Sequence, residues 1–239
     1  MSRHRRSDMA SLSELPFVLV IGGSGGIGSA ICRLLTNFGF RPIIGFNSNR
    51  EAAHKLANEC QGIALKIDLA DDSSIKQLIE AVSDEVKQKH SVLAGVVLGA
   101  SPPPNLTSFI GANSEALMYQ FRVNVVGQQL LLAGLIKNLF RNYKAGFVIG
   151  VLTEAMGSAL EPPKTGMVSY VVAKAAMKSM LSVCAAEYPW LKIRSVSPGL
   201  TETKMLSVFD PRYLELAKIQ KPLSSPDEIA LLIIDQILS

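Results

Sequence analysis

Tyr170 and Lys174 stand four residues apart in Tyr170-Val-Val-Ala-Lys174, a spacing that on a helix sets both side chains on one face. A phenol titrates near pH ~10 and is a poor acid or base at neutrality, but a neighbouring ammonium favours the phenolate and lowers that value. The pair is a candidate for general acid–base work on a substrate oxygen, against the commoner case of a packed ring beside a surface charge. A second candidate is Gly22-Gly-Ser24-Gly25-Gly26-Ile27-Gly28. Glycines there let the backbone approach a diphosphate closely, and the free N–H groups of a following helix attract its charge. Its spacing, Gly22, Gly26, Gly28, differs from the common G-x-G-x-x-G fingerprint. That fingerprint places a carboxylate on a ribose hydroxyl about 20 residues on, whereas here Asn47-Ser48-Asn49-Arg50 stands in its place. Neutral donors with a guanidinium suit a ribose 2′-phosphate, which a carboxylate would repel. The expected dinucleotide is therefore NADP(H), with NAD less favoured.

Other reactive side chains form no site. Cys32, Cys60 and Cys184 are odd in number and far apart, as expected of reduced thiols in a cytoplasmic protein. His4, His54 and His90 are equally scattered, so no metal site is expected.

These groups need a scaffold, and the hydrophobic pattern supplies one. Segments Phe17–Ile21, Pro42–Phe46, Ile63–Ile67, Val92–Leu98, Phe147–Leu152 and Lys192–Val196, most of them nearly continuous apolar runs, read as strands. Helical spacing covers Ile27–Phe38, Arg50–Glu59, Ser73–Gln88, Ser114–Arg141 (with a possible break) and Ser169–Tyr188. Strands that are apolar throughout and alternate with helices imply a parallel sheet covered on both faces. The fold class is thus α/β, a single doubly wound Rossmann-type sheet of six strands, with the strand order open. No linker or repeat interrupts residues 15–239, read as one domain, while residues 1–14 form a basic, polar, disordered tail.

Arg3, Arg5 and Arg6 of that tail supply three of the charges behind a formal net charge of +4, so the remainder is nearly neutral. No basic stripe is interleaved with aromatics, and nucleic acid is not an expected partner. No uncharged apolar run reaches about 18 residues, and no membrane span is expected. A chain of 239 residues buries enough surface to hold its core without a metal or disulfide.

Taken in order, the motifs resemble the short-chain dehydrogenase/reductase family across nearly the whole chain. The matching residues are Gly22-x-x-x-Gly26-x-Gly28, Asp68-Leu69, Val123-Asn124-Val-Val-Gly127, Tyr170-x-x-x-Lys174 and Pro198-Gly199-Leu-Thr201-Glu-Thr203. The resemblance implies hydride transfer between a nicotinamide and a carbonyl or alcohol. Tyr170 would move the hydroxyl proton, Lys174 would hold the nicotinamide ribose and lower the Tyr170 pKa, and Asn124 would hold a water that relays protons to Lys174. Asp68 and Leu69 would contact adenine. Gly99, Ala100 and Ser101 would lie against the cofactor, and Pro198 to Thr203 would pass the carboxamide and diphosphate.

Some positions depart from the family pattern. Ile21 replaces the usual Thr before the first Gly, and Leu98-Gly-Ala-Ser101 replaces Asn-Asn-Ala-Gly. Thr153 falls where the family has its catalytic Ser, while Ser158 lies at the ordinary sequence distance from Tyr170. Strand-end register favours Thr153, and a shifted loop would favour Ser158. Ser225-Pro-Asp-Glu-Ile-Ala230 resembles the start of the last family helix, and the chain stops at Ser239 before a further Gly-rich strand. The expected oligomer is a dimer formed through the Tyr170 helix and the Ser114–Arg141 helix.

Substrate loops are expected at 101–113, 154–168 and 204–222, with Met167, Met205, Leu206, Val208 and Phe209 as an apolar wall. The resemblance is closest in kind to beta-ketoacyl carrier-protein reductases, and an extended acyl, polyketide or alicyclic ketone suits the wall, as an acyl thioester or on a carrier protein. Two rival readings stand beside it. One is a noncatalytic NADP-binding relative with a regulatory role; the other is a carrier-protein or membrane-surface module that uses the Arg3 to Arg6 tail.

Overall fold

Every residue of β1 (Phe17–Ile21) is buried, because its alternating side chains enter two different cores: Phe17, Leu19 and Ile21 one, Val18 and Val20 the other. The same division recurs in β5 (Phe147–Val151), where Val148 faces the first core and Phe147, Ile149 and Val151 face the second. A strand buried on both faces has no polar side, which is why these segments read as unbroken apolar runs. The structure is a computed structural model that describes residues 15–239, so the expected tail at 1–14 lies outside the described residues.

The remaining strands are β2 (Arg41–Phe46), β3 (Ile63–Lys66), β4 (Leu93–Leu98) and β6 (Lys192–Val196). All pairings are parallel, in the order β3-β2-β1-β4-β5-β6. This answers the open strand order. The chain winds outward from β1 in one direction to β3, returns beside β1 with β4, and winds outward in the other. Such a reversal opens a crevice at the carboxyl ends of β1 and β4.

Helices α1 (Gly26–Asn37) and α2 (Arg50–Glu59) cover one face together with the last helix, α7 (Pro226–Leu238). The other face is covered by α3 (Asp72–Gln88), α4 (Ser114–Tyr143) and α5 (Val168–Glu187). Helix α4 extends two residues beyond its expected end, and the expected break takes the form of two π-helical stretches, Arg122–Gly127 and Ile136–Phe140. The wider turn of a π stretch often marks a functional position. By length and composition α4 and α5 are apolar enough to cross a membrane, although their sequences hold no long uncharged run; both contribute side chains to the core beneath the sheet.

The expected loop at 204–222 is largely helical, with a 3-10 stretch at Lys204–Val208 and a helix α6 (Pro211–Gln220). Asp210 caps α6 by accepting the Arg212 N–H, and Pro211 occupies the first turn, where its missing N–H costs nothing. The loop at 101–113 likewise carries a short 3-10 turn, Phe109–Gly111.

Candidate active site

The Gly-rich turn leaves β1 and opens α1. Gly22 adopts φ +79°, and a Cβ there would stand 3.0 Å from the Ala100 backbone. At Gly28 a Cβ would run into the Gly22 carbonyl, so only hydrogen fits. The first backbone bond of α1 runs from Ser29 N–H to Gly25 O at 2.8 Å. The N–H groups of Gly26, Ile27 and Gly28 therefore project from the helix start toward the crevice, with the positive end of the helix dipole behind them. A diphosphate fits such a cradle.

Asn47, Ser48, Asn49 and Arg50 are exposed at the end of β2. Asn49 caps α2 by accepting the Ala52 N–H, and among the described residues no acid forms an ion pair with Arg50. At the end of β3, Asp68 accepts the Ala70 N–H at 2.8 Å and donates its own N–H to Ser74 Oγ, which shapes the turn that buries Leu69. These two strand ends form one flank of the crevice.

On the other flank a cleft of about 520 Å³ brings together Ile27, Gly99, Ser101, Thr153, Tyr170, Lys174, Pro198, Gly199, Thr201 and Thr203. Lys174 is the most deeply buried cation in the described chain, only 2% exposed, and donates Nζ–H to Val151 O at 2.8 Å. Its Nζ lies 6.0 Å from the Tyr170 ring centre. Burial pushes the Lys174 ammonium down to about 7.

Burial also raises the Tyr170 phenol, and the neighbouring Thr153 side chain pulls it partly back. Burial, rather than the Lys174 ammonium expected from the resemblance, is the main influence on the Tyr170 phenol. The same desolvation leaves the Lys174 side chain about half charged at pH 7.

Between the two hydroxyl candidates the structure brings Thr153 to Tyr170. Thr153 caps a short 3-10 turn, and its Oγ1 accepts the Ala155 N–H at 3.2 Å, which leaves the hydroxyl proton to donate into the cleft. Ser158 is exposed outside the cleft, and its Oγ accepts from Leu160 and Glu161 N–H within its own turn. Asn124 sits behind the cleft, fully buried in the first π stretch of α4; its Oδ1 has no protein partner. Such a buried acceptor suits a bound water.

Two groups were not singled out in the sequence. Gln120 and Gln128 lie one helical turn before and after Asn124 and are both buried; their i, i+4, i+8 spacing on one face was the available signal. The other is an ion pair across the cleft rim, with Lys221 Nζ at 2.9 Å from both Glu154 carboxylate oxygens. The far wall is apolar: Met167, Tyr170 and Val171 pack with Ala155 and Phe209, and the Phe209 ring stacks on Tyr213 at 5.5 Å. Met205 and Leu206 also line the cleft, whereas Val208 does not.

Comparison with known proteins places this fold in a family. The family model for short chain dehydrogenase fits residues 16–213. The chain is 27% identical over 222 residues to the uncharacterized oxidoreductase YmfI of Bacillus subtilis (strain 168), covering 89% of this chain and 87% of that one. It is 25% identical over 191 residues to the 3-oxoacyl-acyl-carrier-protein reductase of Bos taurus, covering 78% and 76%. A solved 3-ketoacyl-(acyl-carrier-protein) reductase from Brucella melitensis, complexed with NADH, superimposes with a TM-score of 0.79 at 20% identity over 92% of this chain and 90% of that one. At that identity the likeness is one of fold.

Proposed function

The chain belongs to the short-chain dehydrogenase family, and from that premise we propose that it is an NADP(H)-dependent oxidoreductase that reduces a largely apolar ketone, of 3-oxoacyl or similar type, to an alcohol. The observation that carries the proposal is the meeting of Tyr170, Lys174 and Thr153 in one cleft, with a diphosphate cradle on one side and an apolar wall on the other.

Gly22 to Gly28 would hold the diphosphate, Asn47 to Arg50 the ribose 2′-phosphate, Asp68 and Leu69 the adenine, and Pro198 to Thr203 the nicotinamide side. When bound, the nicotinamide supplies a hydride for the carbonyl carbon. Thr153 donates a hydrogen bond to the carbonyl oxygen and stabilises the charge that develops there. Tyr170 gives its phenolic proton to that oxygen as general acid. Its raised pKa keeps the phenol protonated at neutral pH, the form that reduction requires. Lys174, fixed on Val151 O, holds its Nζ on the Tyr170 side of the cleft, and Asn124 Oδ1 accepts from a water on the proton path.

The preference for NADP(H) rests on the absence of a carboxylate among Asn47–Arg50 and on Arg50, which forms no ion pair among the described residues. Apolar side chains exposed on α4 and α5, among them Met118, Val126, Val172 and Val183, support a dimer through those helices. Free thiols at Cys32, Cys60 and Cys184 support a reducing, cytoplasmic location.

The test is a pair of fluorescence titrations with NADPH and NADH, followed by addition of 3-oxoacyl thioesters, cyclic ketones and quinones to the bound complex. Tighter NADPH binding with oxidation by one panel member is expected. NADPH that binds and is oxidised by none of them overturns the catalytic reading in favour of a noncatalytic relative.

A further inference from the structure

The wall of the cleft after β4 is built from a segment that cannot hold itself in place. Gly99 N–H donates to Ile21 O at 3.1 Å and closes the last sheet bond, and the next backbone donor is Thr107 N–H, bonded to Gly166 O at 2.9 Å. Among the described residues no backbone N–H between those points donates to another backbone group. Residues 102–104 are three prolines, which have no N–H to give. Beyond packing of Pro102 and Pro104, the segment is tied through its carbonyls, and two buried side chains of α4 supply the donors. Gln128 Nε2–H donates to Ala100 O at 3.2 Å, and Gln120 Nε2–H donates to Pro103 O at 2.8 Å.

Gln120 does a second thing. Its Oε1 accepts from Asn124 Nδ2–H at 2.8 Å, so one amide bridges the cleft wall and the buried Asn124. Gln120 is 2% exposed and Asn124 fully buried, so the bond between them is shielded from bulk water, while the one to Pro103 O is part-buried. With its amide hydrogens committed to Gln120 Oε1 and the Gln120 carbonyl, Asn124 must present Oδ1 as its free end. We propose that Gln120 and Gln128 are positioning residues: they hold the proline segment as the cleft wall, and Gln120 in addition sets the orientation of Asn124, so that wall and proton path move together.

The kinetic part of this inference rests on the reductase reading; the structural part does not. Hydrogen–deuterium exchange at Gly99 and Thr107, the hydrogen-bonded amides that flank the segment, reads the tie, and kinetics with whichever carbonyl the intact protein reduces reads its consequence. In Gln120→Met, exchange at those amides speeds up about tenfold, the equivalent of one lost hydrogen bond. Its kcat falls about 100-fold, as a misplacement near 1 Å would cause, while carbonyl KM changes less than about threefold. Gln120→Glu keeps an acceptor for Asn124 and loses the donor to Pro103 O, so it shows the faster exchange with a smaller loss of kcat. Gln128→Met speeds exchange at Gly99, beside the lost bond to Ala100 O, and leaves the Asn124 end intact.

If a folded Gln120→Met exchanges and turns over like the parent protein, the proposal is wrong. It is equally wrong if kcat falls with exchange unchanged, since the loss would then not pass through the wall. Should Gln120→Met fail to fold, Gln120→Glu carries the same test, and unchanged exchange in it overturns the idea. If the parent protein reduces no carbonyl, the reductase reading fails while the exchange data still decide the tie.

Discussion

Replacing Lys174 by Met should flatten the dependence of stability on pH. Lys174 is buried, and its ammonium titrates at about 7 in the folded protein against ~10.4 in an unfolded chain. The folded value is depressed, so the burden of burying the charge is absent above the unfolded value, grows as pH falls, and is complete below the folded one. Between the two values unfolding takes up close to one proton, and stability rises with pH by about 1.4 kcal/mol per unit. Integrated from pH 7 to pH 9, with the curvature near each end included, this one group makes the protein about 2 kcal/mol more stable at the higher pH. Methionine has similar length and no charge, so the variant keeps the packing and loses that term. The assay is urea unfolding of both proteins at pH 7 and pH 9, with comparison of free energies at equal m. Equal pH dependence in the two, within ~0.5 kcal/mol, would refute the claim that Lys174 is desolvated in the fold.

Tyr170→Phe removes the acid and leaves the cleft wall in place; kcat for carbonyl reduction should fall by about 100-fold or more, with the NADPH dissociation constant from fluorescence unchanged. Gly28→Val puts side-chain atoms into the Gly22 carbonyl, so calorimetry should show NADPH binding lost in a protein whose circular dichroism still reports the α/β fold. Arg50→Glu replaces a cation with an anion at the end of β2 and should weaken NADPH by about 10- to 100-fold while NADH changes little. A uniform effect on both nucleotides would remove Arg50 from the 2′-phosphate site.

Much of the fold was legible because a doubly covered parallel sheet imposes a blunt pattern. Four of the six strands are mostly buried and apolar, and the strand ends fall within a residue of where the runs end. Strand order was not legible, since which strand lies beside β1 is decided by helix packing between distant segments. The turn at Gly22 to Gly28 could be read because its glycines answer to local sterics that any diphosphate cradle shares. Lys174 could be placed beside Tyr170 but not buried: lysine is read as a surface residue, and only the three-dimensional contact with Val151 O shows otherwise. The effect of burial on both titrations was accordingly out of reach of the sequence. Gln120 and Gln128 were missed for the same reason, because a glutamine in a helix reads as a solvated position, and the π stretch that turns Asn124 inward has no mark in composition. Helix α6 was taken for loop even though Asp210-Pro211 is a helix-start signal, because the apolar residues around it suggested a substrate wall.

The state of Lys174 also ties cofactor affinity to protons. Alone in the cleft it has one acceptor, Val151 O, and burial holds it about half charged at pH 7. A ligand that brings hydroxyl acceptors and negative charge toward Nζ favours the ammonium and moves its titration back upward. Binding of NADPH above pH 7 should therefore draw in a proton, with uptake rising to about 0.9 proton per site at pH 8, where the free protein holds only about a tenth of one on this group. The recovered ammonium is then the charge that lowers the Tyr170 phenol, so the influence expected of Lys174 from the sequence would operate only when the cofactor site is filled. Calorimetric titration of NADPH at pH 8 in buffers of different ionisation enthalpy measures the uptake, and Lys174→Met serves as the control. Equal proton uptake by the two proteins would show that the exchanged proton belongs to another group and that Lys174 does not change its charge on binding.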